Sequence, residues 1–306
     1  MPDRIACLTQ GKVELLLRGQ AAKRLESPYQ EQVNARRRAG HEARIVSITR
    51  GRISAELCYA ISVDSATGVF AQVPGTREEH RLFQSSDTRI SELDFSFADE
   101  ALACTVVGER GTSAIGLLAD DGKGVRTVTE GDVVDRAPRF VPGGRAELVY
   151  ASAGIGRTSA GAWAGLSPYS LHRLRFVDNS VEVLMSDAKY DYLSPVPISE
   201  SLLYAIRRRY QRARAQSPFR LILSAFTRRF LGVTRDEWRD PRERELLRVT
   251  AKGAETVAEG VLAYDIAANG EVIYSNGAGV FRITGHPTSK PDALANLENV
   301  EQLVIC

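Results

Sequence analysis

The sequence APRFVPGGRAELVYASAGIGR, residues 137–157, contains two short apolar runs separated by a Pro-Gly-Gly turn. A turn cluster between runs rich in β-branched and aromatic residues is typical of a β-hairpin. The sequence that follows, SLHRLRFVDNSVEVLMSD (170–187), repeats this order around a Val-Asp-Asn turn. Residues 137–187 therefore predict one unit of about four antiparallel strands.

Comparable units occur on both sides of this segment. They cover 43–84, 90–132, 192–210 continued at 245–260, and 261–285 completed by VEQLVIC at the C-terminus. A four-stranded sheet cannot bury both faces alone, whereas radial packing of several such sheets covers them. The sequence therefore predicts an all-β fold, a single β-propeller domain over 1–306 with five or six four-stranded blades. The N-terminal hairpin 4–17 would pair with the C-terminal strand and close the ring.

The hairpin at 137–157 resembles the TolB-type, WD-like β-propeller repeat. That repeat has an apolar strand, a Ser-Pro-Asp-Gly turn, a strand ending in an aromatic residue and a second Asp-Gly turn. Here Val141–Gly144 lacks the Ser and Asp of the first turn, and Phe97–Glu100 departs further. The resemblance covers 43–285 and implies a β-propeller that acts as a protein-interaction platform or as the substrate-gating half of a larger peptidase.

From this resemblance we expect a non-catalytic scaffold for protein–protein interaction, as a subunit or accessory of a multicomponent bacterial system. The alternative is a propeller enzyme, a hydrolase or lyase, with its active site in the axial channel. The sequence contains no GxSxG, no GxxxxGK[ST], no GxGxxG and no HExxH, and AGIGR (153–157) is interpreted as a hairpin tip. We therefore predict no catalytic, metal or cofactor-binding residues, and no motif indicates a small-molecule ligand.

The four cysteines are far apart in sequence and form no CxxC pair, which favours reduced thiols packed as small apolar side chains. The N-terminal sequence lacks the pattern of a signal peptide, and no stretch of 18 apolar residues occurs. These observations predict a cytoplasmic protein.

Two helical insertions are predicted within the strands. Residues 27–40 begin with Ser27 as N-cap and Pro28 at the first helical position, with Gln30 at the capping-box position and Gly40 as the end. We interpret this helix as a cap over the side or bottom of the ring. Residues 211–244 form a longer, Arg-rich insertion within one blade, and its predicted helix (217–232) carries an apolar stripe.

Charge is concentrated around the second insertion. Residues 206–248 contain 13 arginines and five acids, a net charge of +8, so the remainder of the chain carries −6. One interpretation is that the stripe docks on the propeller itself; the other is that stripe and arginines bind a partner protein with an acidic surface. The sequence favours such a partner over nucleic acid or a membrane surface. The candidate partner-binding residues are Arg208, Phe219, Leu223, Phe226, Arg228, Arg229, Phe230 and Trp238.

Overall fold

A computed structural model describes residues 4–17, 20–36, 42–53, 55–119, 122, 124–143, 146–211, 243–284 and 290–306. Within these residues the regular secondary structure is almost entirely β-strand, with strands numbered β1 to β25 in chain order. The α-helix α1 spans Pro28–Ala35, and a single 3-10 turn spans Glu109–Gly111. Most of the Arg-rich insertion, 212–242, lies outside the described residues.

The described strands form four antiparallel sheets of four strands and one sheet of nine. In the larger sheet a single parallel pair, Ser113 with Val134, joins two four-stranded antiparallel meanders, so we divide the strands into six units. Unit 1 consists of β25 (Val300–Ile305), β1 (Arg4–Thr9), β2 (Lys12–Leu17) and β3 (Lys23–Arg24). Unit 2 consists of β4 (Arg44–Arg50), β5 (Leu57–Val63), β6 (Ala66–Gln72) and β7 (Glu79–Ser85). Unit 3 consists of β8 (Arg89–Ser96), β9 (Ala101–Val107), β10 (Ser113–Leu118) and β11 (Val125–Thr127).

The second half of the chain continues this pattern. Unit 4 consists of β12 (Val133–Phe140), β13 (Glu147–Arg157), β15 (Ser170–Arg175) and β16 (Ser180–Met185), with β14 (Trp163–Leu166) paired to the end of β13. Unit 5 consists of β17 (Tyr190–Ser199), β18 (Leu202–Arg209), β19 (Arg244–Thr250) and β20 (Gly253–Glu259). Unit 6 consists of β21 (Ala263–Ile266), β22 (Val272–Ser275), β23 (Val280–Ile283) and β24 (Asp292–Ala295).

The six units close into a ring around their first strands. Each first strand, in the order β25, β4, β8, β12, β17 and β21, contacts the next, and β21 contacts β25. The N-terminal β1 pairs with the C-terminal β25, with Ile5 opposite Ile305 and Cys7 opposite Leu303. The prediction of an all-β propeller is therefore confirmed.

Apolar side chains pack between the units and bury inner strands more fully than outer ones. Strands β21 and β22 are buried throughout, whereas the outer strand β20 is largely exposed. One core cluster joins Ile115 of unit 3 to Leu148 and Leu174 of unit 4. Sheets covered on both faces bury both sets of alternating side chains, which stabilises the ring through apolar contact.

Two boundary predictions were wrong. The C-terminal strand, residues 300–305, completes unit 1 rather than the unit at 261–285, whose fourth strand is β24. AGIGR is the extended end of β13, not a hairpin tip; the tip lies just after it, where the Thr158 and Ala162 backbones are hydrogen-bonded.

Helix α1 is held in place by its N-terminus. Ser27 is the N-cap, and its hydroxyl accepts from the Gln30 backbone N–H at 3.2 Å. The Gln30 side chain does not complete a capping box, because its amide donates to the Gly11 and Ala43 carbonyls. The helix ends at Ala35, five residues before the predicted Gly40, which lies outside the described residues. These contacts join the helix to units 1 and 2.

Candidate functional site

Side-chain hydrogen bonds to backbone groups cross every contact between neighbouring units near the axis. The donor and acceptor pairs are Ile48 N–H to Gln302, Leu93 N–H to Ser47, Ala137 N–H to Glu92, Tyr169 N–H to Asp191, Tyr264 OH to the Ser194 carbonyl, and Ile305 N–H to Asp265. Their lengths are 2.6–2.9 Å. Bonds of this kind satisfy backbone groups that have no partner within their own sheet.

Glu92 forms the most extensive of these contacts. Its Oε1 accepts from the Nε and Nη2 of Arg136 at 3.0 and 2.5 Å, and its Oε2 accepts from Thr105 Oγ1 at 2.7 Å and Ala137 N at 2.9 Å. Burial by itself would raise the pKa of Glu92, but Arg136 and these hydrogen bonds outweigh it and hold the pKa below its usual value. Glu92 is therefore ionised, and its contacts link units 3 and 4.

Two further carboxylates near the axis also interact with arginine side chains and accept hydrogen bonds from backbone N–H groups. Asp94 Oδ1 accepts from Arg139 Nη1 at 2.9 Å, and its Oδ2 accepts from the Phe140 N–H at 2.8 Å. Asp265 Oδ2 accepts from the Ile305 N–H and lies 3.5 Å from Arg50 Nη2. Burial raises the pKa of Asp94, against the lowering effect of Arg139. No group of three metal-ligating side chains occurs in the described part of the chain.

A surface groove of about 280 Å³ lies at the base of the Arg-rich insertion. Its lining comprises Tyr190, Arg207, Arg208, Arg209, Glu243 and Glu245. The Arg207 guanidinium lies 4.9 Å from the centre of the Tyr190 ring, and its Nε donates to Glu245 at 3.2 Å. Arg209 is exposed, and among the described residues it forms no ion pair. Within the part of the chain that the structure describes, the groove therefore combines one exposed arginine, Arg209, with two arginines held by carboxylates.

Arg208 is the one predicted partner-binding residue within the described chain. Its Nε donates to Asp191 Oδ2 at 2.8 Å, and Asp191 in turn accepts from the Tyr169 N–H. The Arg208 side chain is largely buried and links units 4 and 5. Its main role is therefore to hold the groove in place, and little of its charge is exposed to solvent. The other seven predicted residues, Phe219, Leu223, Phe226, Arg228, Arg229, Phe230 and Trp238, lie outside the described residues.

The groove and a β-ribbon from unit 4 lie at the same end of the ring. The ribbon, β13 with β14, and the ends of β18 and β19 that border the groove both lie where the second strand of a unit leads to the third, so topology places the ribbon and the groove at one end of the ring. We call this end the insertion face. The Tyr210 hydroxyl joins the two by donating to the Leu166 carbonyl at 2.5 Å. Trp163 on the ribbon is 49% exposed, which adds an aromatic side chain to the face.

Sequence reasoning missed the axial contacts. Glu92, Ala137 and Ser194 each have a positive φ near +50° at a bulge in the first strand of their unit. A proline follows Ala137 and Ser194, and this shared proline is the signal that could have located two of the three bulges. The ion pairs themselves join positions far apart in sequence, so no local pattern indicates them.

The fold is shared with several solved β-propellers at low identity. TolB from Acinetobacter baumannii matches 92% of this chain and 60% of its own at 12% identity, with a TM-score of 0.57. A chain of the nidogen/laminin complex matches 98% of this chain and 97% of its own at 10% identity, with a TM-score of 0.61. The tricorn protease matches 98% of this chain and 34% of its own at 11% identity, with a TM-score of 0.55.

Sequence comparisons add nothing to this result, since no protein-family profile and no curated protein matches the chain. Within the described residues, no helix combines the length and hydropathy needed to cross a membrane. The neighbours include TolB and a protease, so they show the fold and not an activity. The chain therefore has the β-propeller fold of the TolB-type proteins that its repeats resemble.

Proposed function

We propose that this propeller is a non-catalytic platform for protein–protein interaction, and that the groove of Arg207–Arg209 on the insertion face binds an acidic surface of its partner. The observation that carries the proposal is the exposed Arg209 beside an arginine already held by Tyr190 and Glu245. Arginine and aromatic side chains contribute strongly to protein interfaces.

Preorganisation of the groove supports the proposal. Arg207 and Arg208 are each restrained by a carboxylate, so a partner would not have to order these side chains on binding. The ribbon next to the groove supplies Trp163 as an apolar contact beside the charge. An acidic partner is favoured further by the net charge of +8 over residues 206–248.

Occupied carboxylates near the axis support the non-catalytic part of the proposal. Glu92, whose pKa is lowered, is bound by Arg136 and by the Ala137 N–H, which makes it a poor proton donor. The cytoplasmic location and the bacterial multicomponent system stay predictions from the sequence and its resemblance.

The test is affinity capture from a lysate of the native host with two charge-reversal variants. We expect the wild-type protein to retain one stoichiometric protein, Arg209→Glu to lose it, and Arg126→Glu to keep it. Arg126 is an exposed arginine on β11 and serves as the matched control. Retention of the protein by Arg209→Glu, or the absence of any partner with the wild type, would contradict the proposal. Loss of the complex on nuclease treatment would instead identify nucleic acid.

A further inference from the structure

The outer edge of unit 4 carries a concentration of exposed valines. Val181 and Val183 on β16 are 52% and 57% exposed, and Val177 in the preceding turn is 89% exposed. Val181 lies directly opposite Leu174, and Val183 lies opposite His172. The two β16 valines therefore extend the unit 4 face that packs its Leu174 against unit 3.

The neighbouring unit leaves this face uncovered. The outer strand of unit 3, β11, has only three residues, Val125–Thr127, whereas β16 has six. The outer strand of unit 3 is therefore shorter than the outer strand of unit 4. Isolated exposed apolar residues are common on protein surfaces, but a contiguous set on one strand indicates a contact surface.

Other outer strands are protected against pairing with a further strand, and β16 is not. Strands β3 and β24 have two and four residues, β7 begins Glu-His-Arg, and β20 contains Glu255 and Glu259. Short length and charged side chains are the usual means by which edge strands avoid additional pairing. Strand β16, with sequence SVEVLM, has Glu182 as its single charged residue.

Charge around β16 indicates what kind of strand would fit. Residues 177–189 contain three acids, Asp178, Glu182 and Asp187, and one basic residue, Lys189, at the end of the segment. Glu182 is already bound to Arg175 at 3.0 Å, whereas Asp178 and Asp187 lie beyond the two ends of the strand. An added strand with basic residues at its ends and apolar residues at its centre would complement both features.

We propose that β16 binds an extended segment of a partner protein by strand addition, and that this segment has β-branched residues flanked by lysine or arginine. The free edge of β16 supplies backbone donors and acceptors, and Val181 and Val183 supply apolar contact. This surface differs from the arginine groove in position and in the sign of its charge, so it does not depend on the function proposed above.

The test uses the peptide Lys-Val-Thr-Val-Thr-Val-Lys, labelled with a fluorophore, and measures binding to the full chain by anisotropy. Val183→Lys is expected to weaken binding at least about tenfold, because the lysine charges the apolar face and repels the peptide. Ile53→Lys, which adds the same charge at an exposed apolar side chain of unit 2, is the matched control and is expected to change binding less than about threefold. Circular dichroism verifies that both variants keep their strands.

Two further peptides separate the components of the interaction. A version with glutamates at both ends is expected to bind at least about tenfold more weakly, and one with N-methylated valines, which cannot donate, is expected not to bind. The proposal is overturned by no binding of the lysine peptide at about 1 mM, or by equal binding to wild type and Val183→Lys. A wild-type dimer in sedimentation that Val183→Lys dissociates would also overturn it, because a second copy would then be the occupant.

Discussion

Replacing Glu92 by alanine tests whether the axial contacts stabilise the ring. The change removes the ion pair with Arg136 and the acceptor of Thr105 Oγ1, while the Ala137 N–H keeps Thr105 as a second acceptor at 3.2 Å. The side chains of Glu92 and Arg136 are 25% and 32% exposed, so water partly compensates Arg136. Hydrogen bonds to charged groups contribute about 1.5–3 kcal/mol each, and we expect a loss of about 3 kcal/mol in unfolding free energy.

Urea denaturation and thermal melting measure this loss. For a chain of this size, about 3 kcal/mol corresponds to a decrease in Tm of about 5 °C. Glu92→Gln, which keeps an oxygen acceptor but loses the charge, is expected to lose about 1 kcal/mol. Glu130→Ala, at an exposed glutamate between β11 and β12, is the control. If Glu92→Ala is as stable as Glu130→Ala, the axial contacts do not stabilise the ring.

The same contact predicts a pH dependence. Because the folded-state pKa of Glu92 is lowered, its ionised form stabilises the fold above the unfolded-state pKa of about 4.3. The stability difference between wild type and Glu92→Ala is expected to be constant near neutral pH and to shrink as the pH falls through the lowered folded-state pKa. A difference that grows on acidification would refute the assignment of Glu92 as ionised.

Three further predictions follow from other buried groups. Glu79→Ala is expected to lower the unfolding free energy by about 2 kcal/mol and to speed amide exchange in α1, because Glu79 accepts from residues at the start of that helix; unchanged exchange would contradict this. Burial raises the pKa values of Cys7, Cys58 and Cys104 to about 12, so a thiol reagent at pH 8 is expected to modify them only after unfolding. Burial lowers the pKa of His172, against the raising effect of a nearby carboxylate, so NMR titration is expected to give a value below about 6.5.

Most of the fold could be predicted from local sequence patterns. The turn at Val141–Gly144 and the apolar runs on either side of it correspond to β12 and β13, and the interrupted unit at 192–210 and 245–260 corresponds to β17 to β20. These elements were predictable because turn residues and apolar runs act over a few positions. The Ser27 N-cap belongs to the same category, since it bonds three residues along the chain.

Contacts between distant residues were not predictable in this way. Glu92 and Arg136 are 44 positions apart, and Ile5 meets Ile305 only because the ring closes. The role of Arg208 could also not be predicted from the sequence, because a run of three arginines does not reveal which one is bound to Asp191. Such pairings depend on how the sheets are arranged around the axis, and a single sequence contains no direct signal for that arrangement.

Site-specific photocrosslinking in the native host tests the central claim, that the insertion face binds a protein partner, most directly. A benzophenone amino acid would replace Gln211 beside the groove, Trp163 on the ribbon, or Ile53 in the loop between β4 and β5 at the opposite end of the ring. Gln211 is exposed and bonds to Glu243 of the groove, so its replacement keeps Arg209. Ile53 is exposed and serves as the control. The account predicts a cross-link to the same protein from positions 211 and 163 and none from position 53. Cross-links from position 53 alone, or none from positions 211 and 163, would contradict it.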